Sequence, residues 1–321
     1  MIRNHLPGGF LLLILFFVES IKAQQNNFNE DYSPYVIEIK NWKGKILREG
    51  PPMPDSNAKT ILKPSTKMIE RPGGLIPLRI FKPANIRAVV LDIHGGGWSA
   101  GMAAFNDRYN DELARTCSVA VVSVDYRLAP DYPFPACIED CYAAAKWIVD
   151  NVMKEFKTDK MFIAGGSAGG HLAAVTTLYV RDSLHAINMV KGVNLEYGLY
   201  DFSGTPSFRM ATDSTPFLSR QIIDMTVEML MPGWTMDQKK DPKYSPLYAN
   251  LHGLPPAIFT VGTADPLLDD TYFMEARWRG AGNKTYLAVY PECPHAFDSL
   301  PVKMADIAKA KIFKWIIKQL D

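Results

Sequence analysis

One serine of the chain has neighbours that suit a nucleophile. Ser167 stands at the centre of a G-x-S-x-G pattern, Gly165–Gly169, directly after the apolar run Met161–Ala164. In such an elbow the serine occupies a strained turn between a strand and a helix, and the residues two positions before and after it must be small. A glycine-rich phosphate cradle is the alternative, but the lysine that a P-loop requires is missing. We therefore predict that Ser167 is a nucleophile.

A second glycine-rich segment ends another apolar run. His94-Gly95-Gly96-Gly97 follows directly after Ala88–Ile93. Consecutive glycines leave backbone N–H groups free to hold an oxyanion, and each such donor is worth roughly a hundredfold to a thousandfold in rate. A plain flexible turn is the alternative. Both glycine-rich segments directly follow a predicted strand. We therefore predict that His94-Gly95-Gly96-Gly97 is an oxyanion loop.

A base that activates the serine is expected later in the chain. His295 lies in a loop after the apolar run Thr285–Tyr290. Such a loop stands at the carboxyl ends of the strands, the edge of the sheet where active-site residues lie. His185 and His252 lie in polar segments and are predicted to be surface residues. We therefore predict that His295 is the general base.

The acid that orients this base is predicted to be Asp265. It follows the apolar run Ala257–Val261, and the distance to His295 leaves room for one helix and one strand, so that the two loops would lie side by side. Asp269 and Asp270 are predicted instead to cap the next helix. The resulting order of serine, acid and histidine is the order found with the nucleophile elbow.

The elements that must position these residues alternate along the chain. Predicted strands cover 67–70, 75–81, 88–93, 119–125, 161–164, 190–195, 257–261 and 285–290. Helical patterns cover 105–117, 138–156, 170–181, 219–231, 271–281 and 301–320. This alternation predicts an α/β fold with a doubly wound, mostly parallel sheet. The stretch at about 200–250 interrupts it, and insertions of that length often lie over an active site.

Together these motifs resemble the hormone-sensitive lipase branch of the α/β-hydrolases. The matching segments are HGGGW (94–98), DYRLAPDYPFPA (125–136), GGSAGGHLA (165–173), DPLLDD (265–270) and PHAF (294–297). They occur in the family's order over roughly 66–320. The resemblance implies an esterase with the α/β-hydrolase fold over 66–321, a small-molecule ester as its substrate and no cofactor. It also implies a cap formed by the segment 24–65 and the insertion.

The same resemblance assigns roles to individual residues. It implies Ser167 as nucleophile, Asp265 as orienting acid and His295 as base. The implied oxyanion hole consists of the backbone N–H groups of Gly96, Gly97 and Ala168. The chain departs from the family at Gly166, where the family usually has an acidic residue.

Two other functions fit the same motifs. An amidase or peptidase of this fold would use the same three side chains, so that only substrates distinguish it from an esterase. A non-catalytic ligand-binding protein on this scaffold would be expected to lack one of the three, and all three are present.

Composition narrows the class of protein. The chain has 321 residues, of which 47% are hydrophobic and 21% charged, as is usual for a globular protein. The formal net charge of +1 argues against a nucleic-acid-binding protein. No metal site is predicted, since the four cysteines form no CxxC pattern and no histidines have ligand spacing. We predict a monomer or homodimer.

The N-terminus has the features of a secretory signal peptide. In residues 1–23, Arg3 precedes an apolar run over 10–18, and the small residue Ala23 offers a cleavage site. The apolar run is short for a membrane span. We predict an exported protein without a stable membrane span after cleavage, with an uncleaved membrane anchor as the alternative.

Overall fold

An eight-stranded sheet forms the centre of the protein. In the computed structural model, which describes residues 30–49 and 55–321, the strands are β1 Ser65–Arg71, β2 Gly74–Phe81, β3 Ala88–Ile93, β4 Val119–Val124, β5 Met161–Gly166, β6 Val190–Glu196, β7 Ala257–Gly262 and β8 Thr285–Tyr290. Their order is β1-β2-β4-β3-β5-β6-β7-β8. Strand β2 is antiparallel to β1 and β4, and all other neighbours are parallel. All eight predicted strands are present, and the mostly parallel sheet is confirmed.

Helices cover both faces of this sheet. Within the described part of the chain they are α1 Ser33–Glu49, α2 Asp107–Cys117, α3 Ala136–Phe156, α4 Ala168–Asp182, α5 Pro206–Met210, α6 Arg220–Leu230, α7 Met236–Lys239, α8 Leu268–Gly280 and α9 Lys303–Leu320. Helices α3, α4 and α8 pack on one face, and α2 and α9 pack on the other. This arrangement confirms the doubly wound fold.

The alternation of side chains in β3 shows why the central strands are apolar throughout. Val89, Leu91 and Ile93 belong to the core under α3 and α4, whereas Ala88 and Val90 belong to the core under α2 and α9. Because successive side chains point to opposite faces of a strand, a sheet covered on both sides needs apolar residues at nearly every position.

Helix α1 is not predicted by the sequence, which shows no sustained periodicity over 24–63. Its buried residues Ile39 and Ile46 pack against β8 and α9. Lys43 Nζ lies 3.0 Å from Glu292 Oε2, just beyond β8. The cap role of 24–65 stays a prediction, and the predicted signal peptide at 1–23 lies outside the described residues.

The insertion between β6 and β7 carries α5, α6 and α7, and α8 holds its start. The buried Asp270 carboxylate accepts hydrogen bonds from Tyr200 N (2.7 Å), Asp201 N (3.0 Å) and Thr205 Oγ1 (2.6 Å).

The neighbouring Asp269 carboxylate also binds the insertion, because it accepts a hydrogen bond from Ser207 N at 2.7 Å. The prediction that Asp269 and Asp270 cap α8 is therefore wrong, since both side chains are engaged by the insertion.

The described residues contain no disulfide and no helix long and apolar enough to span a membrane. All four cysteines lie in the described part of the chain and are free and buried: Cys117, Cys137, Cys141 and Cys293. Burial raises the pKa of the Cys117 thiol to about 12. None of the helices described in 30–49 and 55–321 combines the length and the apolar character that crossing a membrane requires.

Candidate active site

Ser167 occupies the turn that joins β5 to α4. Its backbone angles are φ 56° and ψ −122°, a conformation that residues other than glycine rarely adopt. A Cβ atom on Gly165 would lie 2.3 Å from the Gly169 carbonyl oxygen, and one on Gly169 would lie 1.9 Å from the Ile93 carbonyl oxygen. The flanking positions therefore have to be glycine, which is the reason for the G-x-S-x-G pattern.

Three of the predicted side chains meet at the carboxyl ends of the strands. His295 Nε2 lies 2.8 Å from Ser167 Oγ. On the other side of the imidazole ring, Nδ1 lies 2.9 Å from Asp265 Oδ2 and 3.1 Å from Oδ1. With Nδ1–H donating to the carboxylate, Nε2 is left to accept the serine proton. The structure thus joins these residues in one hydrogen-bonded chain.

The loops that carry the acid and the histidine are joined through their backbones. Thr263 N donates to Tyr290 O at 2.9 Å, and Ala264 N donates to Cys293 O at 3.0 Å. A Cβ atom on Gly262 would lie 2.1 Å from the Cys293 carbonyl oxygen, so this close approach requires glycine. The loops after β7 and β8 therefore lie side by side, as the sequence predicts.

Burial and a further hydrogen bond fix the acid and the base. The exposed fractions are 3% for Asp265 and 5% for His295, whereas Ser167 is half-buried and reachable from outside. Asp265 Oδ1 also accepts from Leu267 N at 2.8 Å, which holds the carboxylate in its orientation.

The glycine loop after β3 lies beside the serine. A Cβ atom on Gly95 would lie 3.5 Å from the Ser167 Cβ. Gly96 and Gly97 have φ angles of +116° and +58°, in the region that favours glycine. Among the described residues, the backbone N–H groups of Gly96, Gly97 and Ala168 donate to no protein acceptor. Three free donors are thus available near Ser167.

His94 supports this loop from behind. Its ring stacks on Tyr126 with centroids 4.1 Å apart, and Nδ1 lies 2.7 Å from Gly95 O. The Tyr126 hydroxyl donates to the His94 carbonyl oxygen at 2.9 Å. Burial lowers the pKa of His94. A neutral ring with Nδ1–H donating to Gly95 fits a structural role in holding the turn.

The insertion covers the glycine loop. Thr226 of α6 lies so close to the loop that a Cβ atom on Gly97 would come within 2.8 Å of its Cγ2. In the same helix, the Leu230 carbonyl oxygen accepts a hydrogen bond from Phe134 N at 3.0 Å. These contacts place α6 against the glycine loop, and the role of the insertion as a cap stays a prediction.

His171 links the insertion to the glycine loop, a role that the sequence does not indicate. Trp98 Nε1 donates to His171 Nδ1 at 3.2 Å, so that Nε2 carries the proton and donates to the Tyr244 carbonyl oxygen at 2.7 Å. The ring is fully buried, and burial lowers its pKa to about 4. His171 is therefore a neutral link between body and insertion.

The DYRLAP segment is structural. Arg127 Nε lies 2.9 Å from Oδ2 of the fully buried Asp140, and Arg71 Nε lies 3.0 Å from Oδ1 of the same carboxylate. Asp125 Oδ1 accepts from Ala103 N at 2.6 Å. Arg127 and Arg71 thus bind the same carboxylate of α3.

Other titratable residues stand outside the hydrogen-bonded chain. His185 and His252 are exposed, which confirms the prediction that they are surface residues. Across residues 30–49 and 55–321, no group of three or more His, Cys, Asp and Glu side chains could hold a metal ion.

Two residues near the base were missed by the sequence analysis. The Tyr197 ring packs edge-on against His295, with centroids 4.9 Å apart, and its hydroxyl donates to Asp298 Oδ1 at 2.6 Å. The two partners are 101 positions apart and belong to no motif, so that only the folded chain shows their relation.

Known proteins resemble this chain in sequence and architecture. Residues 90–299 match a family described as alpha/beta hydrolase fold. Carboxylesterase NlhH of Mycobacterium tuberculosis is 34% identical over 267 residues, covering 78% of this chain and 81% of that protein. An acetyl esterase of Salmonella schwarzengrund is 26% identical, with 82% and 78% covered. The structure of EstE1, a thermostable carboxylesterase cloned from a metagenomic library, superimposes with a TM-score of 0.76 at 30% identity over 88% of this chain and 96% of that chain. With its fold, its strand-end serine and these relatives, the chain belongs to the alpha/beta hydrolase fold family.

Proposed function

We propose that this protein is a serine hydrolase of carboxylic esters that acts through an acyl-enzyme. One observation carries the proposal: the hydrogen-bonded chain from Asp265 through His295 to Ser167, with distances of 2.9 and 2.8 Å. This geometry matches the arrangement of a nucleophile, its base and the group that orients the base. The esterase names of the relatives at 34% and 26% identity support the same substrate class.

In the first proposed step, Ser167 Oγ attacks the ester carbonyl while His295 Nε2 takes the serine proton. Negative charge develops on the carbonyl oxygen, and the free N–H groups of Gly96, Gly97 and Ala168 are the proposed donors to it. Asp265 stabilises the imidazolium ion without taking the proton itself. His295 then gives the proton to the leaving alcohol, and the acyl group stays on the serine.

In the second step the same groups release the acid. His295 takes a proton from water, and the resulting hydroxide attacks the acyl carbonyl carbon. The oxyanion forms again at the same donors, and the tetrahedral intermediate collapses as the proton passes from His295 to Ser167 Oγ. The cycle consumes one ester and one water and requires no cofactor.

We propose short-chain acyl esters, aryl esters or acetylated compounds as substrates. The exposed side chains of Ile222 and Met225 stand on α6 next to Thr226, which contacts Gly97. An apolar acyl or aryl group entering beside α6 would meet these side chains. The acetyl esterase among the relatives supports a small acyl group.

The test follows hydrolysis of p-nitrophenyl esters, from acetate to palmitate, by the full-length chain. The matched pair of variants is Ser167→Ala, at the start of α4, and Ser183→Ala, exposed beyond its other end. We expect Ser183→Ala to resemble the wild type and Ser167→Ala to lose roughly a thousandfold or more in kcat. The acyl chain that gives the highest kcat/KM reports the size of the acyl site.

A folded wild type without turnover on any ester, or a Ser167→Ala variant as active as the wild type, would overturn the proposal. The same panel with p-nitroanilides separates esters from amides. Serine-dependent turnover of the anilides alone would assign an amidase in place of an esterase.

A further inference from the structure

The end of β6 touches both the serine turn and the sheet beside it. The Glu196 carbonyl oxygen accepts the Ser167 N–H at 2.9 Å. The next residue, Tyr197, donates its N–H to Thr260 O at 2.7 Å and has a φ angle of 38°, in the left-handed region. The backbone at Glu196-Tyr197 is thus held by β7 and by the residue proposed as nucleophile.

The side chain of Tyr197 reaches the loop that carries His295. Its ring lies edge-on to the imidazole, with centroids 4.9 Å apart and planes at 70°. Its hydroxyl donates to Asp298 Oδ1 at 2.6 Å. Asp298 stands three residues after His295 in the 3₁₀ turn Phe297–Ser299, so that this hydrogen bond fixes the turn that follows the histidine.

Asp298 also faces a second, buried carboxyl group. Glu196 is 6% exposed, and Asn194 Nδ2 donates to its Oε1 at 2.7 Å. Burial and the negative charge of Asp298 raise the pKa of Glu196 well above its ordinary value. Burial and a like charge nearby both favour the neutral form of Glu196. Asp298 thus accepts the Tyr197 hydrogen bond on one side and faces Glu196 on the other.

Gly166 explains how Tyr197 fits beside the serine. A Cβ atom at this position would lie 3.1 Å from the Tyr197 hydroxyl oxygen and 3.2 Å from Cε2. Any larger residue before Ser167 would displace the ring. Tyr197 therefore occupies the space that a side chain at position 166 would need.

We infer that Tyr197 and Asp298 are positioning residues for His295. Tyr197 limits the rotation of the imidazole ring, and the Asp298 carboxylate favours the imidazolium ion that forms as the serine is deprotonated. This inference rests on the proposed function, because it assigns His295 the role of base.

A merely structural role predicts a different result. If Tyr197 and Asp298 only fill space, their replacement lowers the melting temperature and leaves the kinetics of the folded fraction unchanged. If they position the base, kcat falls while KM changes little, because the imidazolium forms only after the ester is bound.

The test compares Tyr197→Phe and Asp298→Asn with Tyr248→Phe. Tyr248 is the matched control, because its hydroxyl also donates to an aspartate, Asp201 Oδ2 at 2.9 Å, away from His295. With p-nitrophenyl acetate and the full-length chain, we expect kcat to fall about tenfold in both test variants. We expect Tyr248→Phe to keep the wild-type values.

The pH profile gives a second readout. Asp298→Asn removes a negative charge three residues after His295, so that the acid limb of kcat/KM moves to lower pH. Tyr197→Phe keeps that charge and should move the limb less. The other titratable groups that face Glu196, Tyr197 and Asp298 are Asp92, Tyr109 and Asp265. They are the same in both variants.

A third readout does not depend on turnover. The proton between His295 Nδ1 and Asp265 should give a downfield proton NMR signal, assigned by its loss in His295→Gln. We expect this signal to broaden or disappear in Tyr197→Phe and Asp298→Asn and to persist in Tyr248→Phe. Wild-type kcat, pH profile and NMR signal in both test variants would overturn the inference. If the proposed function itself is wrong, the wild type will show no ester hydrolysis that is lost in Ser167→Ala.

Discussion

Acidification should loosen the contact between the insertion and the body through His171. This side chain is fully buried, accepts from Trp98 and donates to the Tyr244 carbonyl oxygen, an arrangement that needs the neutral ring. In the unfolded chain the ring takes up a proton near its ordinary pKa of 6.5, whereas burial lowers the pKa to about 4 in the folded protein. The unfolded state therefore binds the proton first as pH falls.

The size of the effect follows from the two pKa values. Each pKa unit corresponds to about 1.36 kcal/mol, so a fall from 6.5 to about 4 amounts to about 3 kcal/mol. This stability is fully present above pH 6.5, is lost as pH falls toward 4, and changes no further below that. The loss is a sizeable part of the 5–15 kcal/mol that stabilises a typical protein.

The assay is urea unfolding, followed by tryptophan fluorescence from pH 7 to pH 4. His171→Gln removes the titrating ring, and His252→Gln makes the same change at an exposed histidine. We expect the difference in unfolding free energy between wild type and His171→Gln to narrow by about 3 kcal/mol over this range. The other carboxyl groups titrate in every variant, so that their contribution cancels in the difference.

Parallel stability curves for the wild type and His171→Gln would refute this reasoning. They would mean that the ring gains its proton equally easily in both states, which a neutral buried link does not allow. His252→Gln should give a curve parallel to the wild type.

Four further predictions concern single contacts. Gly166→Ala should displace Tyr197 and lower kcat, whereas Gly280→Ala, with nothing within 4 Å, should leave kcat unchanged. Gly169→Ala should prevent folding, since its Cβ would lie 1.9 Å from a backbone oxygen, and soluble wild-type-like protein would contradict this. Asp140→Ala should cost about 3–5 kcal/mol in urea unfolding, because Arg127 and Arg71 lose a fully buried partner; a loss below about 1 kcal/mol would contradict it. The buried thiols should react with Ellman's reagent only after unfolding, and rapid reaction of a native cysteine would contradict that expectation.

The central sheet could be predicted because burial on both faces requires each strand to be apolar along its whole length, a pattern that is visible in the sequence. Strands such as Ala88–Ile93 are apolar at nearly every position, and the predicted bounds of this strand and of Thr285–Tyr290 match the structure. Helix α1 shows no comparable pattern. Its apolar residues, such as Ile39 and Ile46, alternate with charged and polar ones, and these two become buried only against β8 and α9.

The candidate site was predictable where its chemistry depends on backbone geometry. Ser167 needs glycines around it, so its position is visible as a short motif, and Asp265 and His295 follow strands in a fixed order. Tyr197 and Asp298 were not predictable, because their relation is a contact between distant segments. The roles of Asp269 and Asp270 were misjudged for the same reason, since their partners lie far away, in the insertion.

The attachment of the insertion to α8 has a consequence for how such a protein can diversify. Its start is anchored by Asp269 and Asp270, while the serine, the histidine and Asp265 stand on loops of the central sheet. The proposed acyl contacts and the proposed catalytic side chains therefore stand on separate stretches of sequence. A mutant library restricted to Ile222 and Met225, which are exposed on α6, would explore new selectivities and leave the nucleophile, its base and its acid unaltered.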